Sequence, residues 1–336
     1  MARMQNLVRS TAAALAVAVI FGAAAPLQAQ QPLRLRVSNQ LPPSSQLSKG
    51  LELWKQKVES GSQGSVKVEL YHSSQLYKDN EVVPAVQKKS VDMGLAIAGQ
   101  FSAYDPNFAI FDLPGLFTSY DQAIRALDGE LGRALSDRLN KLGVHPLYWA
   151  QQGYVEIATT KRPINSPADF NGIKLRVHSK ELARMAQLLG AAPTTIAASE
   201  VSTALSQGTV DGLTTSISSY HARKWFEGAP NITTSRFGLI AAVIIMHREL
   251  WNSLPANTKT MLAQASQTAA AYSTQTVLQE ESEIIEKVRK SGVKVTQFSA
   301  AARTEFAKRT QPMYEEFYRG TGNSGRDLVQ YVRSLK

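Results

Sequence analysis

The sequence of 336 residues contains no cysteine. This absence excludes disulfide bonds, zinc sites built from thiolates, a cysteine nucleophile and a lipid anchor on an N-terminal cysteine. Histidine is scarce as well, with five residues scattered at positions 72, 145, 178, 221 and 247. No two of them have the i, i+4 spacing that places two imidazoles on one face of a helix, so no metal site is expected.

The motifs of several large enzyme classes are also missing. The sequence has no G-x-S-x-G elbow, no Walker loop and no H-E-x-x-H motif. Residues 320–325 match G-x-G-x-x-G, but they follow a helical pattern, whereas a dinucleotide site needs this motif after a strand. We therefore expect no cofactor. Dispersed carboxylates leave acid–base chemistry open, although Asp92 and Asp211 occupy equivalent turns, which favours structural roles for both.

Basic residues outnumber acidic ones, and the formal net charge at pH 7 is +10. Lys and Arg are spread along the chain in pairs, such as Lys88-Lys89 and Lys161-Arg162, instead of forming one dense block. A dispersed charge of this kind is typical of a solvated surface with a mild attraction for anions. Nucleic acid is therefore not expected as a partner.

The first 29 residues have the pattern of a secretory signal peptide. Arg3 and Arg9 precede an uncharged apolar run at 12–26, and Leu27-Gln28-Ala29 has the form of a cleavage site. An uncleaved anchor is the alternative, but the run is shorter than the roughly 20 apolar residues that span a bilayer. We predict a signal peptide at 1–29 and a mature protein that is free in the periplasm of a Gram-negative bacterium.

Strand and helix patterns alternate through the mature chain. Apolar and polar residues alternate at 33–37 and 66–71, and a third strand is predicted at 91–99. The helix expected between the first two strands carries its apolar residues on one face: Leu47, Leu51, Trp54 and Val58. Asp79 or Asn80 is expected to cap the next helix. This order of elements is typical of an α/β lobe with a largely parallel sheet.

The length of the mature chain exceeds the usual size of a single core, so two lobes are expected. A weak internal repeat supports this expectation, because the segment 85–92, AVQKKSVD, is echoed 119 positions later by the segment 204–211, ALSQGTVD. In both segments a helix ends, the chain turns and Val-Asp opens a strand. Two similar lobes would form a cleft between their strand ends, where small molecules commonly bind.

One helix is expected to be much longer than the others. Apolar residues recur at intervals of three or four from residue 257 to about residue 290, without an internal glycine or proline. At 1.5 Å per residue, such a helix extends for roughly 50 Å, which is enough to cross both lobes. A coiled coil is the alternative, but a stretch rich in Gln, Thr and Ser interrupts the heptad pattern.

One arginine is set into an apolar strand pattern. Residues 173–178 read IKLRVH, and alternation places the three aliphatic residues on one face and Lys174, Arg176 and His178 on the other. The apolar face can pack in a core, which directs Arg176 toward a cleft at the strand end. Its planar guanidinium matches a carboxylate, so a small organic anion is the expected ligand. A structural ion pair or a solvated arginine remains the alternative.

Other candidate residues for the wall of the cleft lie near the ends of predicted strands. Trp and Tyr present large rigid faces that suit a planar acid, although core packing is the alternative for each aromatic residue. The candidates are Asn39 and Gln40 after the first strand, Gln100 and Phe101 after the third, Trp149 and Tyr154 near the expected crossing between lobes, and Tyr220 beyond the strand with Thr215.

Four segments resemble solute-binding proteins of tripartite ATP-independent periplasmic (TRAP) transporters, the DctP family. They are SSQLYKDNEVVPAVQKKSVDMG at 73–94, FDLPGLF at 111–117, PINSPADFNGIKLRV at 163–177 and LGAAPTTIAASEVSTALSQGTVDG at 189–212. The resemblance covers nearly the whole mature chain. It implies two α/β lobes, joined by hinge strands and a long helix, that close on a ligand. It also implies that Arg176 binds the ligand carboxylate with two hydrogen bonds and that the ligand passes to TRAP membrane permease subunits.

The resemblance also implies the extent of the lobes. Each lobe is expected to comprise two chain segments: 30–153 with 242–285 for lobe I, and 154–241 with 286–336 for lobe II. The hinge is expected near Tyr154 and Ala241.

Two departures from the family pattern bear on the ligand. Val155 stands where many acid-binding relatives have an arginine, so a second cleft arginine is missing, and Thr215 stands at the position of a ligand-contacting asparagine. Both changes disfavour sialic acid and C4-dicarboxylates, and they favour a monocarboxylate with an apolar, aromatic or keto-bearing body. We therefore expect a receptor for a small organic acid and no enzymatic activity. A secreted α/β enzyme acting on an organic acid, or a ligand-binding partner of a sensor, is the alternative.

Overall fold

The computed structural model describes residues 32–335, so the signal peptide predicted at 1–29 lies outside the described residues. The strands are β1 (Leu33–Ser38), β2 (Val66–Tyr71), β3 (Met93–Ile97), β4 (Val144–Tyr154), β5 (Glu156–Thr159), β6 (Lys174–Val177), β7 (Ala192–Thr195), β8 (Gly212–Thr215), β9 (Asn231–Thr233), β10 (Leu239–His247) and β11 (Lys294–Thr296).

The helices connect these strands and cover both sheets. They are α1 (Gln46–Gly61), α2 (Val82–Gln87), α3 (Tyr120–Asp128), α4 (Glu130–Lys141), α5 (Lys180–Leu188), α6 (Val201–Ser206), α7 (Ile217–Ala222), α8 (Arg248–Ser253), α9 (Ala256–Lys290), α10 (Ala300–Thr310), α11 (Pro312–Thr321) and α12 (Asn323–Ser334). The strands predicted at 33–37, 66–71 and 91–99 are confirmed as β1, β2 and β3, and α1 is the predicted amphipathic helix with its apolar face buried.

The strands form two sheets that are built alike. In the first sheet the order is β2-β1-β3-β10-β4, with β1 parallel to β2 and β3, and β10 antiparallel to β3. In the second sheet the order is β11-β9-β5-β8-β6-β7, with β6 parallel to β7 and β8, and β5 antiparallel to β8. We refer to the two halves built on these sheets as the first and second lobe. The expected two-lobed α/β fold is confirmed.

The internal repeat is visible in an equivalent hydrogen bond inside each lobe. Asp92 comes just before β3, and its Oδ2 accepts a hydrogen bond from the backbone N of Arg36 in β1 at 2.8 Å. Asp211 comes just before β8, and its Oδ2 accepts a hydrogen bond from the backbone N of Lys174 in β6 at 3.0 Å. Each carboxylate thereby ties the start of one central strand to its neighbour, β1 in the first lobe and β6 in the second. The structural roles expected for both aspartates are confirmed.

The chain crosses between the sheets through two paired segments. β4 continues into β5 through Val155, and the chain returns from β9 to β10 through Gly238. Val155 N donates to Gly238 O at 2.8 Å, and Phe237 N donates to Val155 O at 3.0 Å. The predicted hinge residues Tyr154 and Ala241 lie close to this pairing, and their role as a hinge stays a prediction.

Helix α9 is the long helix that the sequence predicts, and it has 35 residues. It contacts α1 and β4 of the first lobe and α7 and β11 of the second. Trp54 of α1 donates from Nε1 to Ser266 Oγ of α9 at 3.1 Å. The expected helix across both lobes is confirmed. The residue boundaries of the lobes stay a prediction. They concern α12 in particular, which is expected in lobe II and packs against α3 and α4.

Strand β3 passes so close to α2 that Gly94 has no room for a side chain. A Cβ atom at Gly94 would lie 2.3 Å from Val82 Cγ1. We expect Gly94→Ala to lower the free energy of unfolding by about 1 to 3 kcal/mol, because overpacking a filled core forces its neighbours to shift. Gly320→Ala is the matched control, since its Cβ would lie 3.5 Å from Pro106. Equal urea midpoints for the two variants would contradict this account of β3.

Asp112 is a buried carboxyl group at the end of the 3-10 helix Pro106–Asp112. Burial and the nearby Glu181 raise its pKa to about 8. The folded protein therefore holds a proton that the unfolded chain releases above its ordinary pKa of about 4. The contribution of Asp112 to stability is therefore largest below about pH 4 and is lost as the pH rises toward 8.

We expect Asp112→Asn to make the loss of stability between about pH 5 and about pH 8 shallower than in the wild type, measured from urea midpoints. A slope remains because burial also raises the pKa of Glu156 to about 8. Asp105→Asn is the control. Burial acts to raise the pKa of Asp105, but hydrogen bonds from Asn107 and Arg138 outweigh it, so this pKa is lowered. Asp105→Asn should keep the wild-type dependence of stability on pH in this range. A dependence in Asp112→Asn that is as steep as in the wild type, or steeper, would refute the raised pKa of Asp112.

Candidate functional site

Arg176 is a buried arginine in the short strand β6. Its neighbours Leu175 and Val177 are fully buried in the core, and Arg176 itself is 3% exposed. Nε donates to the carbonyl of Ile196 at 2.8 Å, and Nη1 donates to the carbonyl of Thr214 at 3.2 Å. A guanidinium has five N–H donors, so these two bonds fix its plane and leave three. Burial lowers the pKa of Arg176 to about 10, and the group stays charged at neutral pH.

Arg176 lies in the wall of a small cavity between the two lobes, with a volume of about 30 Å³. The cavity shares Asp79, Gln100 and His178 with an adjoining cleft of about 300 Å³. Most of its wall consists of polar side chains. The lining residues are Gln40, Asp79, Ile97, Gln100, Gln152, Arg176, His178, Ala198, Thr214, Thr215, Ser219, Trp225 and Ile240.

Asp79 meets Arg176 from the opposite lobe. Its Oδ2 lies 3.7 Å from Arg176 Nη2, and its Oδ1 accepts a hydrogen bond from the backbone N of Ala198 at 3.2 Å. The prediction that Asp79 or Asn80 caps α2 is wrong, because Glu81 is the residue before that helix and its side chain makes no capping bond. Asp79 instead reaches across the cleft, so part of the ion-pair alternative for Arg176 is correct.

A second arginine stands beside this cavity. Arg223 follows α7, and its Nη2 donates to the carbonyl of Gln40 in the first lobe at 2.7 Å. Its guanidinium lies 5.2 Å from the ring centre of Trp225, and its buried Nε has no hydrogen-bond partner among the described residues. Burial lowers the pKa of Arg223 to about 10, with Asp79 acting in the opposite direction. Arg223 is not among the lining residues, but its contacts with Gln40 and Trp225 place it next to the wall.

His178 shares the face of Arg176, as strand alternation predicts. Its Nδ1 lies 3.1 Å from Thr214 Oγ1. Burial lowers the pKa of His178 to about 3, and the charge of Arg176 adds to this effect. The imidazole is therefore neutral at physiological pH and contributes a polar surface without a charge.

Four of the predicted site residues lie in the cavity wall: Arg176, Thr215, Gln100 and Gln40. Thr215 is 3% exposed, and its hydroxyl donates to the carbonyl of Ser216 at 3.2 Å, which leaves the oxygen free to accept a bond. Gln100 Oε1 accepts from the backbone N of Ile97 at 3.3 Å, so its amide NH₂ group remains available. These residues come from both lobes, as a ligand site between lobes requires.

The other five predicted residues lie outside this wall. Asn39 donates to Ser48 Oγ at 2.8 Å, and Phe101 packs against Phe108 with ring centres 5.2 Å apart. The remaining three also have partners within the protein: Trp149 donates to Ser136 Oγ at 3.0 Å, Tyr154 packs 4.7 Å from Tyr120, and Tyr220 donates to Ala229 O at 2.6 Å. These contacts are those of core residues, which was the alternative for each aromatic residue.

Several residues of the wall have no clear signal in the sequence. Gln152 is the extra residue of a β-bulge, since Ile240 pairs with Gly153 while Ala241 pairs with Gln151. A bulge turns one side chain away from the regular alternation, which explains why Gln152 lines the cavity. Ser219 and Trp225 come after the end of β8 in the sequence. Their position beyond this strand is the signal that could have identified them as wall residues.

A larger cleft, of about 560 Å³, lies between α5, α11 and the 3-10 helix Pro106–Asp112. Its two cations are engaged within the protein. Arg184 Nη2 lies 2.7 Å from Glu316 Oε1, and Lys180 Nζ donates to the carbonyl of Ser102 at 2.8 Å. This cleft is therefore less suited to binding a ligand carboxylate than the smaller cavity at Arg176.

Two kinds of feature are absent from residues 32–335. Within this range, His, Asp and Glu side chains form no group of three or more that could hold a metal ion. A search of the same residues finds no helix with the length and apolar character needed to cross a membrane.

Comparison with known proteins identifies the family. Residues 37–321 match the bacterial extracellular solute-binding protein family 7, DctP. The C4-dicarboxylate-binding periplasmic protein DctP of Rhodobacter capsulatus is 30% identical over 291 residues, which cover 85% of this chain and 86% of that protein.

Two solved structures have the same fold. A TRAP periplasmic solute-binding protein of Sulfurospirillum deleyianum with bound succinate has a TM-score of 0.86 at 27% identity, covering 91% of this chain and 100% of that one. A TRAP periplasmic solute-binding protein of a Polaromonas species bound to D-erythronate has a TM-score of 0.85 at 26% identity, covering 90% and 99%. The chain therefore belongs to family 7 of the bacterial extracellular solute-binding proteins, the DctP family of TRAP transport.

Proposed function

We propose that this chain is a periplasmic receptor of a TRAP transporter that captures a small organic acid at Arg176 and delivers it to the membrane permease. The observation that carries this proposal is the buried guanidinium of Arg176, which two backbone carbonyls hold in place at the cavity wall. A desolvated guanidinium with unused donors needs an anion, and a carboxylate matches its planar geometry. The succinate and D-erythronate bound by the two structural relatives are both carboxylates.

Closure of the two lobes is part of the same proposal. Arg176 belongs to the second lobe, whereas Asp79, Gln40 and Gln100 belong to the first. An acid held by Arg176 therefore contacts both lobes at once, which favours the closed arrangement by population shift. The paired crossing segments at Val155 and Gly238 are the natural place for the hinge.

We infer that the receptor binds its ligand without converting it. His178, the titratable neighbour on the face of Arg176, has a pKa lowered to about 3 by burial and by Arg176, so at neutral pH it is neither an imidazolium acid nor a strong base. Recovery of the bound acid unchanged after long incubation would agree with carriage. Appearance of a product would instead favour the enzyme alternative.

The charges around the cavity favour a ligand with one negative charge. Arg176 and Arg223 are positive, and Asp79 is negative, so one ligand carboxylate balances the group. A second carboxylate would have to lie close to Asp79 or leave the arginines. Thr215 replaces the asparagine of the family pattern, and Val155 is buried at the crossing without a polar group to offer.

Removal of Arg176 should weaken binding strongly. Arg176→Ala leaves the ligand carboxylate buried without its partner, which typically costs about 2 to 5 kcal/mol, or roughly 30-fold to several thousand-fold in affinity. Arg176→Lys keeps the charge but loses the planar fork, so it should recover only part of the loss. Calorimetry measures the affinity of both variants for the acid that binds most tightly in a thermal-shift screen.

Arg162→Ala is the matched control, because Arg162 is an exposed arginine of the same lobe that pairs with Asp169 at 3.2 Å. This variant should bind the acid as the wild type does. Arg176→Ala also frees the carbonyls of Ile196 and Thr214, so its melting temperature should be measured alongside. A folded Arg176→Ala protein that binds within about threefold of the wild type would refute the site.

The preference for one charge leads to a separate prediction. Succinate should bind at least about tenfold more weakly than the best monocarboxylate, since its second carboxylate meets the like charge of Asp79. Competition calorimetry at constant ionic strength compares the two ligands. Succinate as the tightest ligand would show that the receptor selects dicarboxylates, as its relative from Rhodobacter capsulatus is named for.

A further inference from the structure

Asp79 is the one carboxylate among the described residues that line the cavity at Arg176. It is 5% exposed and lies in the loop between β2 and α2, so the first lobe carries it. Its Oδ1 accepts the backbone N–H of Ala198. Its Oδ2 faces Arg176 Nη2 at 3.7 Å, which is longer than a hydrogen bond and leaves acceptor capacity on that oxygen.

A ligand carboxylate on Arg176 would therefore stand close to a second carboxylate. An ionised carboxylate has acceptor oxygens and no donor, so two of them repel unless a donor lies between them. A hydroxyl group on the carbon next to the ligand carboxylate provides such a donor, since it is attached directly beside the group that Arg176 would hold. A keto oxygen at the same carbon provides another acceptor and would add to the repulsion.

We propose that Asp79 selects 2-hydroxy acids over the matching 2-oxo acids by accepting a hydrogen bond from the ligand hydroxyl while Arg176 holds the ligand carboxylate. The inference rests on the proposed function and specifies its ligand class. The ligand then bridges the lobes, because Arg176 belongs to one lobe and Asp79 to the other. Hydroxyl recognition and lobe closure become the same event.

An ammonium group at this carbon would also be a donor, but the surrounding charges oppose it. Arg176 and Arg223 both lie near Asp79, whose charge opposes the lowering of their pKa values by burial, and the charge of Arg176 lowers the pKa of Arg223 further. A third cation would be repelled by both guanidinium groups. The uncharged side chains of Gln100 and Gln152 in the wall suit a neutral hydroxyl.

The test compares matched acids that differ only at the second carbon. Calorimetry of the mature wild-type protein would use lactate with pyruvate and alanine, 2-hydroxyisovalerate with 2-oxoisovalerate and valine, and mandelate with phenylglyoxylate and phenylglycine. In the set that binds most tightly, the hydroxy acid should bind about tenfold to a hundredfold more tightly than the oxo acid. Asp79→Asn should reduce this ratio to about threefold or less, because an amide can donate to a keto oxygen.

Glu200→Gln is the matched control. Glu200 pairs with Lys78 across the same lobe boundary at 2.7 Å, but both side chains are about half exposed and lie outside the cavity. If Asp79 acted only by holding the lobes together, Glu200→Gln would resemble Asp79→Asn. We expect it to change the affinities of hydroxy and oxo acids by the same factor and to leave their ratio intact.

The outcomes separate this inference from the proposed function. If acids bind in an Arg176-dependent manner but Asp79→Asn leaves the hydroxy-to-oxo ratio unchanged, Asp79 has no selective role and the receptor function stands. Tighter binding of the 2-oxo or 2-amino acid to the wild type also overturns the selection. If no carboxylate of a wider panel binds, and the protein is folded, both proposals fail.

Discussion

The guanidinium of Arg176 loses its hydration in the fold, and the groups around it compensate for that loss. Two of these groups, the carbonyls of Ile196 and Thr214, belong to the same lobe and are always present. The third, the carboxylate of Asp79, comes from the other lobe. Asp79 can therefore contribute to this compensation only where the two lobes meet. The buried charge of Arg176 therefore links the contact between the lobes to the chemistry of the ligand site.

The likeness of the two lobes explains where this charge can be placed. β1, β2, β3 and β10 of the first sheet correspond to β6, β7, β8 and β5 of the second, and both sheets direct the ends of their central strands toward the boundary between lobes. Asn39 and Gln40 follow β1, while His178 follows β6. The crossing segments β4–β5 and β9–β10 also give each sheet one strand that enters from the other lobe, β10 in the first sheet and β5 in the second.

The sequence predicts the fold well because the fold depends on short-range patterns. Alternation along the strand identifies Arg176 and His178, and the position just after a strand identifies Gln40 and Gln100. Asp79 could not be found in this way, since an aspartate before a helix has the features of a cap, and its actual partners are 97 and 119 residues away in the chain.

Aromatic residues show a second limit of the sequence. Tyr154 and Tyr220 lie near the ends of strands or just beyond them, as wall residues would, yet the structure buries both rings in the core. The direction of a large side chain depends on which neighbour offers space and a hydrogen-bond partner. For Tyr220 that partner is the carbonyl of Ala229, which a pattern of residue types does not identify. Arg223 is hidden for a related reason, because it comes after the end of α7 and reaches the cavity region only through tertiary packing.

Helix α9 has a mechanical consequence. Near its middle, Ser273 Oγ donates to the carbonyl of Ala269 at 2.9 Å, and Thr276 Oγ1 donates to the carbonyl of Tyr272 at 2.7 Å. Hydroxyl groups that bond one turn back in this manner compete with the helical hydrogen bonds and make a helix easier to bend. Because α9 is continuous and contacts both lobes, a change in their relative orientation would require this helix to bend. The two hydroxyl groups therefore mark the part of α9 where a change in the relative orientation of the lobes would bend the helix most easily.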